Sequence, residues 1–274
     1  MTNSHAALAD LIPLAQRAAD AAATITLAAF RQPLGVHDKS TGAASAFDPV
    51  TDADRDAERA IREVLRAGAP GIGFVGEESF GGLAEAPGAL DPAWIVDPID
   101  GTRAFIAGVP VWGTLIALRL GGRPVFGLLD QPVLNERYLG HDGNAVRVAN
   151  DQSFPLSTRR GVALSAAVLC CTTPDMFDTP ALREAFGQLS SRVPIVRYGT
   201  DCHGYAMLAS GHVDLVVEAD LAPWDVQALI PIVEGAGGVI SDWRGADPSG
   251  GGTVLAAGGR TLHAEALHAL ALPN

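Results

Sequence analysis

Two carboxylates, a hydroxyl and a glycine stand together in Asp97-Pro98-Ile99-Asp100-Gly101-Thr102. The residues before them, Ala93-Trp94-Ile95-Val96, are apolar and sufficient for a short buried strand. Pro98 lacks an N–H and fixes φ, so the strand cannot simply continue. Gly101 permits a tight turn, and Thr102 offers a hydroxyl at an expected helix start. One strand end would then carry two carboxylates, a hydroxyl and free backbone N–H groups. Carboxylates suit hard cations such as Mg²⁺, and a helix N-terminus suits phosphate. A polar strand-to-helix turn capped by Asp and Thr accounts for the same residues without any ligand. Further acidic motifs shift the weight towards chemistry.

The first of these is Asp48-Pro49-Val50-Thr51-Asp52-Ala53-Asp54. Thr51 can cap a helix with Asp54 at its third position, a capping-box arrangement. Ala53, Ala57, Ile61, Val64 and Leu65 form the expected buried stripe of that helix. Asp54 lies near the Ala53/Ala57 side, which leaves it open as either a cap or a functional acid. The second is Gly76-Glu77-Glu78-Ser79, at the end of a short strand expected over Ile72–Val75. Strand side chains alternate between faces, so only one of the two glutamates can share a site with Asp97. A solvated acidic loop is the ordinary alternative. The third is Trp224-Asp225, opening a helix expected over 224–235 and ended by Gly237-Gly238. Together Glu77, Asp97, Asp100 and Asp225 could form an oxygen-only cage for two or three Mg²⁺ ions, with waters and substrate phosphate as the remaining ligands.

The elements that must position these acids read as follows. Leu8, Leu11, Ile12, Ala15, Ala18, Ala19, Ala22 and Ile25 recur at helical spacing, giving a long amphipathic helix that ends near Phe30. Lys39 to Phe47 is a small-residue loop, and Gly81 to Pro92 a Gly/Pro/Ala-rich connection. Val111–Leu120 and Pro124–Leu129 read as strands around Gly121-Gly122, a hairpin signal. Glu136–Gly140 and Ala145–Ala149 continue that sheet. The second half alternates strands at 166–171, 195–197, 213–217, 239–240 and 254–256 with helices at 175–189, 202–210, 224–235 and 262–270. Residues 1–149 are expected to form an N-terminal α+β subdomain with the metal-binding motifs. Residues 150–274 would form a C-terminal α/β subdomain that completes the metal and substrate site.

Composition narrows the function classes. The formal charge is −12, from 31 acids and 19 Lys+Arg, and no basic run appears. Nucleic-acid and anionic-membrane partners are therefore not expected. An acidic protein that handles an anionic substrate needs metal ions to reverse the local field. The three cysteines, Cys170, Cys171 and Cys202, form no C-x-x-C. A disulfide framework or zinc ribbon is not expected, and a reduced cytoplasm is the default location. No early apolar run approaches the roughly 20 residues that span a bilayer. The seven histidines show no H-E-x-x-H or H-x-H. The Asp-x-Asp-x-Thr pattern of haloacid dehalogenases is absent too, which favours attack by an activated water over a covalent aspartyl-phosphate.

Four motifs in order carry a family resemblance: Asp48 to Asp54, Gly76 to Ser79, Trp94 to Thr102, and Trp224-Asp225 followed by Glu234-Gly235-Ala236-Gly237-Gly238. The chain resembles the inositol monophosphatase superfamily of Mg²⁺-dependent, lithium-sensitive phosphatases. The resemblance implies an α/β, α+β layered fold, a five-layer αβαβα sandwich, often dimeric. By the same resemblance Glu77, Asp97 and the Ile99 carbonyl would hold one metal, and Asp97, Asp100 and Asp225 a second. Asp54 would support a third. Gly101 and Thr102 would present N–H groups to the phosphate. Thr102 and Glu77 would position and activate the water, and Lys39 is offered as a lysine near the site.

Family members share the metal site and differ in the substrate pocket. The stretches Phe105–Leu118, Thr173–Phe177, Tyr198–Cys202, Gly211–Glu218 and Ala228–Glu234 look most like the histidinol-phosphatase branch. Histidinol phosphate carries an ammonium and an imidazole, whereas an inositol phosphate carries hydroxyls. Asp201 and Glu218, with Asp100, would place carboxylates near the leaving group, suited to charge-assisted bonds with a cation. Asp201 could equally cap the helix expected to begin at Cys202, and Glu218 could be an ordinary strand-end acid. An inositol phosphate or another small phosphorylated metabolite is the alternative substrate. A catalytically silent scaffold of the same fold should have lost metal ligands, and all are present.

Overall fold

The computed structural model describes residues 2–39, 49–79 and 90–271. Most of the loop expected at 39–47, Asp48, and most of the connection at 81–92 lie outside them. The chain begins with α1 (Thr2–Ala29), then a small antiparallel pair, β1 (Val36–Asp38) and β2 (Pro49–Thr51), then α2 (Asp52–Gly68). The strands β3 (Gly73–Gly76) and β4 (Ala93–Asp100) follow, then α3 (Thr102–Ala107). Next come β5 (Gly113–Leu120), β6 (Arg123–Gln131), β7 (Glu136–His141), β8 (Asn144–Ala149) and β9 (Gln152–Pro155). Strands β3 to β9 form one sheet in sequence order, with β3 parallel to β4 and every other pair antiparallel.

The rest of the chain supplies β10 (Val168–Cys171), α4 (Pro180–Ser190), β11 (Ile195–Tyr198), α5 (Asp201–Ala209) and β12 (Leu215–Leu221). It closes with α6 (Pro223–Val226), α7 (Leu229–Gly235), β13 (Val239–Ser241), β14 (Gly252–Ala257) and α8 (Arg260–Ala269). The second sheet runs β11-β10-β12-β14-β13. β10 is parallel to β11 and β12, and β14 is antiparallel to β12 and β13.

Period-two burial sorts these elements into five layers. Trp94 and Val96 of β4 pack outward with Ala15, Ala18, Ala57 and Ile61 of α1 and α2. Ile95, on the opposite face, packs inward with Tyr205, Val226, Leu229 and Val233 of α5, α6 and α7. The second sheet does the same: Cys170, Val216 and Ala256 face the middle helices. Leu169, Val217 and Leu255 face Phe186, Leu189 and Ala266 of α4 and α8. The result is the expected αβαβα sandwich. Glycine lets the middle layer approach closely. A Cβ on Gly127 would collide with the Ala228 carbonyl, and one on Gly140 with the Pro231 backbone.

Several elements differ from their expected bounds. The helix expected at 175–189 starts at Pro180, with Thr179 accepting the Leu182 N–H at 3.2 Å as its cap. Proline disfavours helical φ/ψ at the residue before it and suits the first helical position. The helix expected at 224–235 is two short helices, because Pro231 has no N–H for the Gln227 carbonyl and its ring crowds that position. The first sheet extends past residue 150 through β9, and β12 continues beyond Glu218 to Leu221 with a register shift between them. Among the described residues no helix is long and apolar enough to cross a membrane.

Candidate active site

Strand alternation and one irregularity bring Asp97 and Asp100 together. Asp97 shares the inward parity of Ala93 and Ile95, and is 2% exposed. Three residues on, Asp100 would face outward on a regular strand. The ladder prevents this: Asp97 stands opposite Leu115 but Asp100 opposite Gly113, so β4 spends three steps where β5 spends two. This bulge restores Asp100 to the Asp97 side. It is pinned by the Thr114 hydroxyl, which donates to the Pro98 carbonyl at 2.8 Å, and by the Ile99 N–H, which donates to Asp97 Oδ1 at 2.9 Å. The strand ends at Gly101, whose φ of 81° is the left-handed region glycine favours. The Thr102 hydroxyl donates to the Ile99 carbonyl at 3.1 Å, so the proposed carbonyl ligand is engaged by the proposed water-positioning hydroxyl.

Asp225 arrives from the middle layer. It is the third residue of α6 and accepts the Ala222 N–H at 2.8 Å, which fixes its side chain against β4. One oxygen each of Asp97, Asp100 and Asp225 lies within 4.8 Å of the others. Glu77 follows β3 with the parity of Val75, and its N–H donates to the Val96 carbonyl at 3.1 Å. Its carboxyl lies close enough to Asp97 to help raise the Asp97 pKa. It also accepts from Lys39 Nζ at 2.6 Å, and the same ammonium donates to Glu78 at 2.9 Å. The chain has left strand geometry at 77–79, so both glutamates reach one lysine. Glu78 is buried there and is no solvated loop acid: its side chain is 5% exposed.

Asp54 caps α2 and also reaches towards Thr102. One oxygen takes the Thr51 N–H at 2.8 Å and the Thr51 hydroxyl, and the other lies 3.5 Å from the Thr102 hydroxyl. Burial raises its pKa to about 6. Burial and then the neighbouring acids raise the whole group: Asp225 to about 7, and Asp97 and Asp100 well above the carboxylate range. Glu77 is also raised by burial, opposed by Lys39. Anionic oxygens from separate segments, forced together and costly to ionise, are the donor set a hard divalent cation relieves. The residues therefore fit a metal ion, which Asp97, Asp100 and Asp225 could hold with Glu77 alongside.

The helix-capping alternative for Asp201 is corrected. The N–H of Cys202 donates to Asp100 Oδ2 at 2.8 Å, across 102 positions of sequence, so Asp100 serves the start of α5. Asp201 has φ 43° and its side chain lies against Gly101: a Cβ there would stand 3.0 Å from Asp201 Cγ. Burial raises the Asp201 carboxyl to about 6, opposed by Arg103. Glu218, expected near the leaving group, has both carboxylate oxygens taken by protein donors. It is 3% exposed; Oε1 takes the Thr172 N–H and hydroxyl, and Oε2 takes the Tyr205 hydroxyl at 2.8 Å. Burial raises it to about 7. Its place in the middle of a buried strand, flanked by donors, explains why a strand-end reading failed.

Sequence reasoning missed Glu58. It lies one helical turn after Asp54 on the buried face of α2, at 3% exposure, and accepts the Glu78 N–H at 2.7 Å. The available signal was the i, i+4 spacing of two acids on an otherwise apolar stripe.

Residues 7–273 match the sequence profile of the inositol monophosphatase family. The bifunctional phosphatase IMPL2, chloroplastic, of Arabidopsis thaliana is 40% identical over 261 residues, covering 92% of this chain and 72% of that protein. The histidinol-phosphatase of Mycobacterium tuberculosis is 39% identical over 221 residues, covering 80% and 83%. A solved inositol monophosphatase from Zymomonas mobilis superposes with a TM-score of 0.80 at 39% identity, covering 95% of this chain and 97% of that one.

Proposed function

The chain belongs to the inositol monophosphatase family of metal-dependent phosphoric monoester hydrolases, and from that premise we propose that it hydrolyses L-histidinol phosphate to L-histidinol and phosphate. Glu77, Asp97, Asp100, Asp225 and the Ile99 carbonyl would hold two or three Mg²⁺. Bound there, Mg²⁺ supplies an acidified water and offsets charge on the phosphoryl and leaving oxygens. The chain's own groups do the rest. Gly101 and Thr102 offer backbone N–H groups to the phosphate. The Thr102 hydroxyl, between the Ile99 carbonyl and Asp54, is placed to orient a water. Asp54 and Glu77 hold the negative charge that accepts its proton.

The observation that carries the substrate assignment is Asp201, a carboxylate packed directly against the Gly101 turn. A phosphate at Gly101 brings the remainder of a small ester within reach of Asp201, where an ammonium or imidazolium pairs better than a hydroxyl. Glu218 adds negative charge behind it, through the wall made with Thr172 and Tyr205. The name of the Mycobacterium tuberculosis relative supports the same reading, and that of the Zymomonas mobilis neighbour supports an inositol phosphate as the second. We extend the proposal to a homodimer working on a small cytoplasmic metabolite, consistent with three free, buried cysteines.

A phosphate-release panel decides: histidinol phosphate, inositol 1-phosphate and adenosine 3′,5′-bisphosphate at saturating Mg²⁺. Histidinol phosphate should give the highest kcat/KM. Asp201→Asn should lower that value by roughly tenfold or more, while glycerol 2-phosphate, which has no cation, changes little. Equal turnover of inositol 1-phosphate, or an equal loss on all esters, overturns the substrate and leaves the phosphatase assignment standing.

A further inference from the structure

The turn that carries Glu77 is held from behind by a side chain that touches no part of the acidic triad. β3 makes its last backbone bond to β4 through the Glu77 N–H. The next N–H, that of Glu78, has no strand partner and donates to Glu58 Oε2 at 2.7 Å. Glu58 also lies beside the Ser79 side chain. Its other oxygen accepts from Arg62 Nη2 at 3.2 Å, and that guanidinium lies 4.7 Å over the Phe74 ring. A Cβ on Gly76 would fall on the Glu58 carboxylate, so the glycine preceding Glu77 is the opening through which Glu58 reaches the turn. Gly76 and the Glu78 N–H are thus both fitted around one buried acid, while the Glu77 and Glu78 carboxylates turn away from it towards Lys39.

We infer that Glu58 is a positioning residue for metal binding: by capturing the Glu78 N–H it fixes the turn at 76–79 and so sets where the Glu77 carboxylate sits beside Asp97. The inference deepens the reading of Glu77 as a metal ligand and rests on it. A buried acid here is poorly explained as a stabiliser alone, because removing a carboxylate from water costs more than an apolar side chain of similar size would. It is well explained as a clamp, since groups that orient a ligand commonly change metal affinity by about 10–100-fold when removed.

The test is a double-mutant cycle read by Mn²⁺ binding to the full chain, measured by calorimetry after chelation and buffer exchange. Glu58→Ala should weaken Mn²⁺ binding about tenfold or more in the wild-type background and by less than about twofold in Glu77→Gln, because the clamp then has nothing left to position. An undiminished loss in the Glu77→Gln background, or no loss in either, overturns the inference. Glu58→Gln keeps an acceptor for the Glu78 N–H and is carried through the same cycle should Glu58→Ala not fold. Its loss should be smaller and should also vanish in Glu77→Gln, and a persisting loss counts against the clamp. Undisturbed binding in Glu77→Gln alone removes Glu77 from the metal site, and the role of Glu58 with it.

Discussion

Asp225→Asn, studied without divalent ions, turns the crowding of the acids into a measurable stability. Asparagine keeps an acceptor for the Ala222 N–H at 2.8 Å and removes one ionisable group. Burial first, and Glu77 second, raise the Asp225 carboxyl from 3.8 to about 7. The folded chain therefore holds a proton that the unfolded chain has already released, so folding stability falls as pH rises from 3.8 towards about 7 and then levels off. At 1.36 kcal/mol per pKa unit the full difference is ~4 kcal/mol. Asp225 retains partial access to water, so a gain of about 2–4 kcal/mol is expected for the variant at about pH 8, shrinking to near zero at about pH 4. Urea unfolding in chelator, followed by tryptophan fluorescence across that range, measures it. Saturating Mg²⁺ should close most of that gap, since a ligand at 100 times its Kd stabilises the wild type by about 2.7 kcal/mol and the variant binds it poorly. A variant less stable than wild type in chelator at about pH 8, or a gap that does not change with pH, refutes the reasoning.

Two further outcomes are expected. Asp97→Asn should retain the fold, by circular dichroism, and lose most phosphatase activity at limiting Mg²⁺; near-normal turnover there would sink the role of Asp97 as a shared ligand. Thr102→Ala should lower kcat by about 100-fold with a smaller change in KM, because orienting a water acts in the transition state. A raised KM with unchanged kcat would make Thr102 a capping residue alone.

Local signals located most elements and could not describe how they meet. Helical spacing in α1 and the Gly121-Gly122 hairpin were legible because both are set within a few residues. The break at Gln227-Ala228 was encoded in Pro231, one helical turn further on, where a helix pattern drew attention away from it. Asp97, Asp100 and Asp225 stood out as acids at element ends. That Asp97 and Asp100 share a site was expected from the break at Pro98, but the bulge that brings them to one side is visible only against β5. The service of Asp100 to the start of α5, the enclosure of Glu218 by Thr172 and Tyr205, and the clamp of Glu58 on Glu78 are contacts between distant segments. No window of sequence contains both partners.

The bare-backbone contacts at Gly127 and Gly140 bear on how such a site tolerates drift. At those points the first sheet and the middle helices meet main chain to main chain, at Ala228 and Pro231, without side chains as spacers. Peptide geometry is the same in every sequence, so these contacts act as a fixed gauge between the layer that carries Asp97 and the segment that carries Asp225. Leu115, Leu129 and Ile232 can exchange volume elsewhere in the same core while the gauge holds. Lineages that keep the two glycines are then free to rewrite much of the interior.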